Sequence, residues 1–432
     1  MYKNDIKKEI LARKDEYISF LQKLLTYDSK IEEAGKYGNE QGIQTFLADY
    51  FEKMGAKVDA FEPDNDRMSA YKGFNANHEY EGRKNVVATF SGTGGGHSLL
   101  MNGHCDIVPA GDESKWKYSP FSGEVHDGRI YGRGASDMKG GLAAAVCAIK
   151  LLQELGANFK GDIIFESVVD EEGGGNGTIA CCDRGYKADG AMIMEPTSLA
   201  IMTCNRGAFL AEFNVVGSPI HAAMKGNGHN AIEKAIKLIH ALQEIEAHWL
   251  MTKKHKLLSN PTINIGTICG GTGASTGAES CKVQFDVEFL PSEINSNYDK
   301  IEVDPEQIKR EVEEWLTRTC QGDVWLKDHP VSVNWYQETL CFETDTEEPF
   351  VLAAADSVRS AIGKVDLDGL PCGCDGAHLA NISKMPVIIL GPGDSENLHV
   401  FNESLSVEKY LQAIEIYANL IINWVGTDDR KA

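Results

Sequence analysis

The sequence predicts an α/β protein with a mostly parallel sheet and a smaller α+β domain inserted into it, on three observations. Continuous apolar runs alternate with helical segments through roughly the first two hundred residues. From about Ala208 the order becomes β-α-β-β-α-β, the split order of a small open-faced, ferredoxin-like sandwich. After residue 340 the first pattern returns. The length of 432 residues also favours more than one core.

Residues 1–207 are predicted to form the first part of the sheet domain. Apolar residues at helical spacing in NEQGIQTFLADYFEKMG predict a helix, and KVDAF after it predicts a strand. Further strands are predicted at NVVATF, SLLMNGHCDIV, DIIFESVV and GAMIME, with a helix at KGGLAAAVCAIKLLQELG. Apolar strands that alternate with helices are typical of a sheet with helices on both faces.

Residues 208–340 are predicted to form the inserted domain. Its strands are AFLAEFNVVG, TINIGTI, CKVQFDVEFL and VSVNWYQE, and its helices are HNAIEKAIKLIHALQEIEAHW and PEQIKREVEEWLTR. Residues 341–432 are predicted to complete the first sheet through a helix over 347–362, the buried strand PVIILGPG and the helix VEKYLQAIEIYANLIINWV. The chain is therefore expected to leave the sheet domain and return to it.

The charge of the chain argues against two classes of partner. There are 64 acidic and 42 basic side chains, which leaves a formal net charge of -22. Such a surface repels phosphate backbones and anionic lipid, so we expect neither nucleic acid nor a membrane as a partner. The opening residues scatter charges through an amphipathic pattern, without the unbroken apolar core of a signal peptide or membrane span. We therefore expect a cytoplasmic protein.

The eleven cysteines are expected to be reduced and to serve mainly in packing. Neither Cys181-Cys182 nor Cys372-x-Cys374 has the two-residue gap of a zinc ribbon, which argues against a thiolate metal site. A local redox role for Cys372 and Cys374 stays open.

Histidines and carboxylates gather where predicted strands end. They are His104 and Asp106 after SLLMNG, Asp137 ahead of the helix, Asp170, Glu171 and Glu172 after DIIFESVV, Glu195 after GAMIM, and His399 after PVIILGPG. Residues two apart in a strand face the same side, so Asp106 is placed to accept the second ring N–H of a metal-binding His104. This spacing also fits a simple hydrogen-bonded pair at a strand end.

Taken singly, each of these acids also fits a solvated loop or a helix cap; Asp137, for example, could cap the helix that follows. As a set they indicate a metal site. Ligand sites of open α/β sheets lie beyond the carboxyl ends of the strands, and carboxylates that converge there without basic neighbours repel one another unless a cation is present. Two histidines with three or more carboxylates suit one or two ions such as zinc, cobalt or manganese.

The motifs GHCD, GRGASDMKGG, DEEGGG, MEPT, GSPIHAAMKGNGHNAI and GPGDSENLHVFNE occur in an order that resembles the M20 metallopeptidase and deacylase group. That group includes acetylornithine deacetylase, succinyl-diaminopimelate desuccinylase, aminoacylase-1 and carboxypeptidase G2. The resemblance covers nearly the whole chain. It implies a zinc-peptidase-like catalytic domain that holds two Zn²⁺ ions, with Co²⁺ or Mn²⁺ as possible substitutes. It also implies an inserted ferredoxin-like lid through which two copies form a homodimer.

The resemblance assigns roles to individual residues. Asp137 would bridge the two metals, with His104 and Glu195 completing one site and Glu172 and His399 the other. Glu171 would be the general base. His221 of GSPIHAAM, in the inserted domain, would stabilise the oxyanion of the intermediate, often in the partner subunit; alternatively it is a satisfied turn histidine. Arg206 of TCNRGAF matches a substrate-contacting arginine of desuccinylase-like members.

The chain departs from the group at two positions that help to hold a substrate carboxylate. Ser275 stands where an asparagine is expected, and Glu288 where an arginine is expected. A glutamate repels a carboxylate, so we hypothesise that the substrate lacks a free α-carboxylate there or carries an amine. The alternative is that Glu288 points away and Arg206 holds the carboxylate.

The predicted function is a metal-dependent amidohydrolase that cleaves the amide bond of a small N-acylated amino acid or amine. A metal-activated water attacks the carbonyl carbon, and a glutamate general base takes its proton. A dipeptidase or carboxypeptidase of the same family is the nearest alternative. A metal-binding relative without catalysis is an alternative of another class, against which the presence of Glu171 argues.

Overall fold

The computed structural model describes residues 3–295 and 299–429. Its contacts divide the chain into two compact units. The first comprises Met1–Cys204, Phe342–Leu370 and Cys374–Ala432, and the second comprises Asn205–Cys341 with Pro371–Gly373. Within the described ranges, no helix is both long enough and apolar enough to cross a membrane.

Helices and strands are labelled in chain order. The α-helices are α1 (Lys3–Ala12), α2 (Lys14–Leu25), α3 (Gln41–Lys53), α4 (Asn65–Met68), α5 (Lys139–Glu154), α6 (Asn176–Asp183), α7 (Ala231–Thr252), α8 (Pro305–Gln321), α9 (Pro349–Ile362), α10 (Gly376–Asn381) and α11 (Val407–Leu420). The strands are β1 (Ile31–Glu32), β2 (Tyr37–Gly38), β3 (Lys57–Phe61), β4 (Asn85–Phe90), β5 (Leu99–His104), β6 (Val125–His126), β7 (Arg129–Tyr131), β8 (Ala157–Phe159), β9 (Ile163–Val168), β10 (Gly190–Ile193), β11 (Ile201–Asn205), β12 (Gly207–Val216), β13 (Thr262–Gly270), β14 (Ser280–Phe289), β15 (Ser292–Ile294), β16 (Lys300–Glu302), β17 (Val333–Thr339), β18 (Phe342–Glu343), β19 (Leu367–Leu370), β20 (Val387–Ile389), β21 (Ser404–Ser406) and β22 (Thr427–Asp429).

The main sheet of the first unit has the order β18-β11-β20-β10-β5-β9-β4-β3, with β19 beside β11. Its central strands β9, β5, β10 and β20 are parallel, whereas β4 and β3 on one flank and β11 on the other are antiparallel to their neighbours. Parallel neighbours need crossovers, which α5 and α6 supply, whereas β3 and β4 are joined through the single turn of α4. The predicted α/β class is confirmed, with a mixed sheet that is parallel at its centre.

Helix α5 lies buried against the centre of this sheet. Its sequence KGGLAAAVCAIKLLQE is apolar nearly all round, as expected of a helix without a solvent face. Gly141 in its first turn has a packing reason: a Cβ there would lie 2.2 Å from the carbonyl oxygen of Met194. Only glycine lets the start of α5 approach the chain just before Glu195, and this brings two parts of the predicted metal site together.

The second unit is a four-stranded antiparallel sheet with the order β13-β14-β12-β17. Along β12 the burial alternates, with Phe209, Ala211, Phe213 and Val215 facing the core. The amphipathic helices α7 and α8 supply the rest of that core. The element order β12-α7-β13-β14-α8-β17, with the short hairpin β15-β16 before α8, is the predicted split β-α-β-β-α-β arrangement.

Candidate active site

Three neighbouring parallel strands of the first unit end at one edge of the sheet, and each leads to predicted site residues. Strand β5 ends at His104. Strand β9 ends shortly before Glu171, and β10 ends two residues before Glu195. Because β9, β5 and β10 pair in parallel, their carboxyl ends and the residues that follow lie side by side.

Asp137 lies between the two predicted histidine ligands. Its Oδ1 atom is 3.1 Å from Nε2 of His104, and its Oδ2 atom is 3.3 Å from Nε2 of His399. Oε1 of Glu195 lies 3.7 Å from the same His104 nitrogen, and Oε1 of Glu172 lies 3.1 Å from the same His399 nitrogen. The two oxygens of Asp137 therefore face two different histidines, each with its own second carboxylate.

Glu171 completes the group without a histidine of its own. Its Oε2 atom is 4.0 Å from Nε2 of His104. We call this group the ligand cluster, and its members are His104, Asp137, Glu171, Glu172, Glu195 and His399. Two sets of three donor atoms within it lie within 4.8 Å of one another, His104 with Glu171 and Glu195, and His104 with Asp137 and Glu172.

The spacing of the ligand cluster fits small divalent ions. Donors bonded at about 2.0 to 2.2 Å to a tetrahedral ion stand roughly 3.3 to 3.6 Å from one another. The four nitrogen–oxygen distances around Asp137, Glu172 and Glu195 are 3.1, 3.1, 3.3 and 3.7 Å. Imidazole nitrogen and carboxylate oxygen together are donors that suit zinc, cobalt and manganese.

The carboxylates of the ligand cluster have few positively charged partners among the described residues. Among the residues that the structure describes, its carboxylates form ion pairs within 4.0 Å with His104 and His399 and with no lysine or arginine. Burial raises the pKa of Glu171, and the negative charge of Glu195 raises it further. Hydrogen bonds to Asp137 and Glu172 raise the pKa of His399 to about 10. Without an ion, the cluster therefore holds protons, and a dication would replace them.

Asp106 is placed differently from the prediction. Nδ1 of His104 lies 2.9 Å from the backbone carbonyl oxygen of Asp106 and 3.7 Å from its carboxylate. Strand β5 ends at His104, so the alternation of a strand does not extend to Asp106. The ring N–H at Nδ1 donates to the carbonyl, which turns Nε2 towards Asp137. The hydrogen bond to Asp137 raises the pKa of His104 against the effect of burial, so without an ion Nε2 carries a proton that a metal would displace. The Asp106 carboxylate instead accepts hydrogen bonds from the backbone N–H groups of Glu171 and Glu172, at 3.3 and 3.1 Å.

Glu403 is a site residue that the sequence did not reveal. Its buried carboxylate accepts hydrogen bonds from the backbone N–H groups of Gly134, Ser136 and Asp137, at 3.1, 2.8 and 3.1 Å. It also accepts one from Nη1 of Arg133 at 2.7 Å. The motif GPGDSENLHVFNE ends on this glutamate, but its spacing gives no indication of these partners. Glu403 thus fixes the loop that carries Asp137, the predicted bridging carboxylate.

His221 lies in an exposed turn of the second unit. Its Nδ1 accepts a hydrogen bond from the backbone N–H of Ala223 at 3.2 Å. The neighbouring N–H of Ala222 donates to the carbonyl oxygen of Ser275 at 2.8 Å, so the turn is tied to the loop in which the expected asparagine is replaced. The oxyanion role of His221 stays a prediction.

Arg206, also in the second unit, already has partners within that unit. Its Nε donates to the carbonyl oxygen of Pro371 at 2.8 Å, and its Nη1 donates to that of Asn260 at 3.2 Å. Oε2 of Glu288 lies 3.5 Å from Nε. Glu288 therefore points towards Arg206 rather than away from it. Burial raises the pKa of Glu288 to about 7, against the opposing effect of Arg206. Binding of a substrate carboxylate by Arg206 stays a prediction.

Comparisons with known proteins point to one family of hydrolases. The profile of peptidase family M20/M25/M40 matches residues 100–423. An N-formyl-4-amino-5-aminomethyl-2-methylpyrimidine deformylase of Halalkalibacterium halodurans is 32% identical, over 98% of this chain and 99% of the relative. The Bacillus subtilis protein of the same name is 30% identical over 97% of both chains. A tripeptidase structure from Staphylococcus aureus superposes with a TM-score of 0.72 at 22% identity, covering 95% of this chain and 98% of that one.

Proposed function

The chain belongs to peptidase family M20/M25/M40, and we propose that it removes a formyl or other short acyl group from a small amine without a free α-carboxylate. Metal-dependent hydrolysis of the amide bond of a small N-acylated amine is consistent with the peptidase family and with its deformylase relatives. The narrower substrate class depends on one observation, the pairing of Arg206 with Glu288. An arginine that already donates to two backbone carbonyls and faces an internal carboxyl group is a poor receptor for a substrate carboxylate.

The ligand cluster would hold two divalent ions, which we propose to be zinc. His104 and Glu195 would hold one ion, Glu172 and His399 the other, and Asp137 both. When bound, such ions polarise an amide carbonyl and make water nucleophilic at neutral pH. The hydrogen bond from Nδ1 of His104 to the Asp106 carbonyl orients the imidazole so that Nε2 faces the ion.

Glu171 would move the proton during hydrolysis. A general base must take the proton of the attacking water and deliver it to the nitrogen of the leaving amine. Burial raises the pKa of Glu171, which suits a carboxylate that has to hold a proton between these two steps. The backbone N–H of Glu171 donates to the Asp106 carboxylate, which fixes the backbone and so restricts the positions that the Glu171 side chain can reach.

We also propose that His221 stabilises the developing oxyanion and that the enzyme works as a homodimer through its inserted unit. Both proposals rest on the family resemblance. His221→Ala would lower kcat with little effect on metal content, and sedimentation would give twice the chain mass. A monomer with full activity would contradict the dimer.

A hydrolysis screen tests the proposed substrate class. Metal-loaded protein would be given matched pairs of N-formyl, N-acetyl and N-succinyl amides, one member with an α-carboxylate and one without, together with dipeptides. We expect the highest kcat/KM for formyl or acetyl amines without the carboxylate, with Glu171→Gln as the background control. A preference for the free acids that is lost in Arg206→Ala would contradict this class, and a preference for dipeptides would indicate a peptidase instead.

A further inference from the structure

Asp170, the residue before the proposed general base, is buried and has an unusual backbone conformation. Its φ is +67°, in the left-handed region that most side chains avoid and that aspartate tolerates better than most. Its neighbour Glu171 donates its backbone N–H to Asp106. The turn closes with hydrogen bonds from Gly174 to the Glu171 carbonyl and from Gly175 to the Asp170 carbonyl, at 2.7 and 2.9 Å. The conformation of Asp170 therefore decides the direction in which the next two residues leave the strand.

Three side chains from one distant segment hold the carboxylate of Asp170. Nδ1 of His78 and the hydroxyl of Tyr80 donate to its Oδ2, at 2.7 and 2.5 Å. Nη2 of Arg83 lies 3.4 Å from its Oδ1. All four side chains are at least nine-tenths buried. A buried residue with a strained backbone, as at Asp170, persists only where its surroundings over-determine it.

Two further contacts fix these donors. Arg83 donates from Nε and Nη2 to the buried carboxylate of Glu40, with the shortest distance 2.6 Å. Nδ2 of Asn176 donates to the hydroxyl oxygen of Tyr80 at 2.7 Å, so that hydroxyl has its own proton left for Asp170. The hydrogen bonds to Glu40 and from Asn176 thus fix the positions of Arg83 and Tyr80 relative to the Asp170 carboxylate.

We infer that His78, Tyr80 and Arg83 are positioning residues for Glu171 and Glu172, acting through Asp170. Among the described residues, none of the three forms a hydrogen bond or an ion pair with a member of the ligand cluster. Their effect is to fix the turn from which the base and one proposed metal ligand project. Outer residues that orient ligands typically contribute about 10- to 100-fold to metal affinity or activity.

The first test uses a matched pair of hydroxyl deletions. Tyr80→Phe removes one donor to Asp170, whereas Tyr410→Phe removes an equally buried hydroxyl that donates to the Tyr17 carbonyl at 3.0 Å, away from the turn. We expect Tyr80→Phe to lower kcat about tenfold or more at unchanged KM, and to weaken one of two zinc sites in a titration of metal-free protein by a similar factor. Tyr410→Phe should change neither. Equal kcat and equal zinc affinity in the two variants would overturn the inference.

The second test separates the backbone from the side chain at Asp170. Asparagine and glycine both accept a positive φ, but only asparagine keeps an oxygen for His78 and Tyr80. We expect kcat to fall in the order wild type, Asp170→Asn, Asp170→Gly. The asparagine variant should retain part of the wild-type kcat because it keeps an acceptor oxygen. Wild-type kcat and zinc affinity in a folded Asp170→Gly would overturn the inference. If Asp170→Gly does not fold, the comparison of Tyr80→Phe with Tyr410→Phe in kcat and zinc affinity decides whether the inference stands.

The inference rests on the proposed function, since it takes Glu171 as the base and Glu172 as a ligand. The zinc titration keeps the two claims separate. A wild-type protein that binds two zinc ions but hydrolyses no amide contradicts the proposed function alone. A wild-type protein that hydrolyses the amide, with Tyr80→Phe indistinguishable from Tyr410→Phe in kcat and zinc affinity, contradicts the positioning role alone.

Discussion

Two groups of buried carboxylates in the first unit differ in the source of their positive charge. In the ligand cluster, the ion-pair partners among the described residues are histidines. In the second group, which we call the arginine-paired group, Arg83 binds Glu40 and Asp170, and Arg133 binds Glu403. An acid buried beside an arginine has a positive partner supplied by the chain itself. We propose that the ligand cluster instead takes its cations from solution, which would distinguish a binding site from a structural ion pair.

Removal of metal should have the largest effect, because it should abolish activity and leave the arginine-paired group unchanged. Dialysis against a chelator is expected to reduce amide hydrolysis to the uncatalysed level, because the ligand cluster alone provides no Lewis acid. Zinc, cobalt or manganese should restore it. The arginine-paired group needs no ion, so far-UV circular dichroism should change little. Wild-type kcat in protein that elemental analysis shows to be metal-free would contradict the comparison.

Two glutamate substitutions should differ strongly in their effect on catalysis. Glu171→Gln removes the proposed base and should lower kcat by about 10²- to 10⁴-fold with metal content retained. Glu166→Gln is the matched control: it is buried on β9 and accepts a hydrogen bond from Asn102 at 2.9 Å, which glutamine can also accept. Its kcat should stay near that of the wild type. Hydrolysis by Glu171→Gln at the rate of the control would show that the base is misassigned.

Charge removal should affect the stability of the metal-free protein in opposite directions in the two groups. Arg133→Met leaves Glu403 buried without its cation and should lower the free energy of unfolding by about 3 to 5 kcal/mol. Glu195→Gln should raise that free energy, because burial and the charge of Asp137 already disfavour the ionised form of Glu195 and raise its pKa. Urea unfolding of chelated protein measures both. A fall in stability for Glu195→Gln would mean that its charge is already compensated within the chain.

A smaller effect is expected on the pH dependence of stability. The pKa values of Glu171 and Glu195 are raised by burial and like charge, and that of His399 is raised to about 10 by its carboxylate partners. The folded metal-free protein therefore holds more protons than the unfolded chain above about pH 4.5, and its stability should fall as the pH rises from 5 to 8.

The metal-loaded protein and metal-free Glu195→Gln serve as controls for this pH effect. Metal replaces the bound protons, and the glutamine removes one titrating group, so the urea midpoint should vary less with pH in both. An equally steep change in all three proteins would assign the pH effect to groups outside the ligand cluster.

Much of the site could be predicted from the sequence because strand ends are a local signal. The apolar runs that end near His104, Glu171 and Glu195 became the neighbouring strands β5, β9 and β10. The alternative that Asp137 caps the following helix is not what the structure shows, since α5 begins at Lys139 without a side-chain cap. The antiparallel flanks of the sheet could not be predicted, because pairing between distant strands leaves no periodic pattern in either one.

The supporting residues could not be predicted for a related reason. Arg83 and Asp170 are 87 positions apart, and Glu403 lies 266 positions from Asp137, yet each pair is in direct contact. Such contacts arise only when the two segments have folded together. The placement of Asp106 was wrong for a local reason, because the two-residue alternation of a strand does not extend past its last residue.

Anomalous diffraction from crystals grown with excess zinc tests the central claim most directly, namely that dications neutralise the ligand cluster. We predict two zinc peaks per chain, one bonded to His104 and Glu195 and the other to Glu172 and His399, with Asp137 bonded to both. A well-ordered ligand cluster without a zinc peak at a saturating concentration would contradict the account.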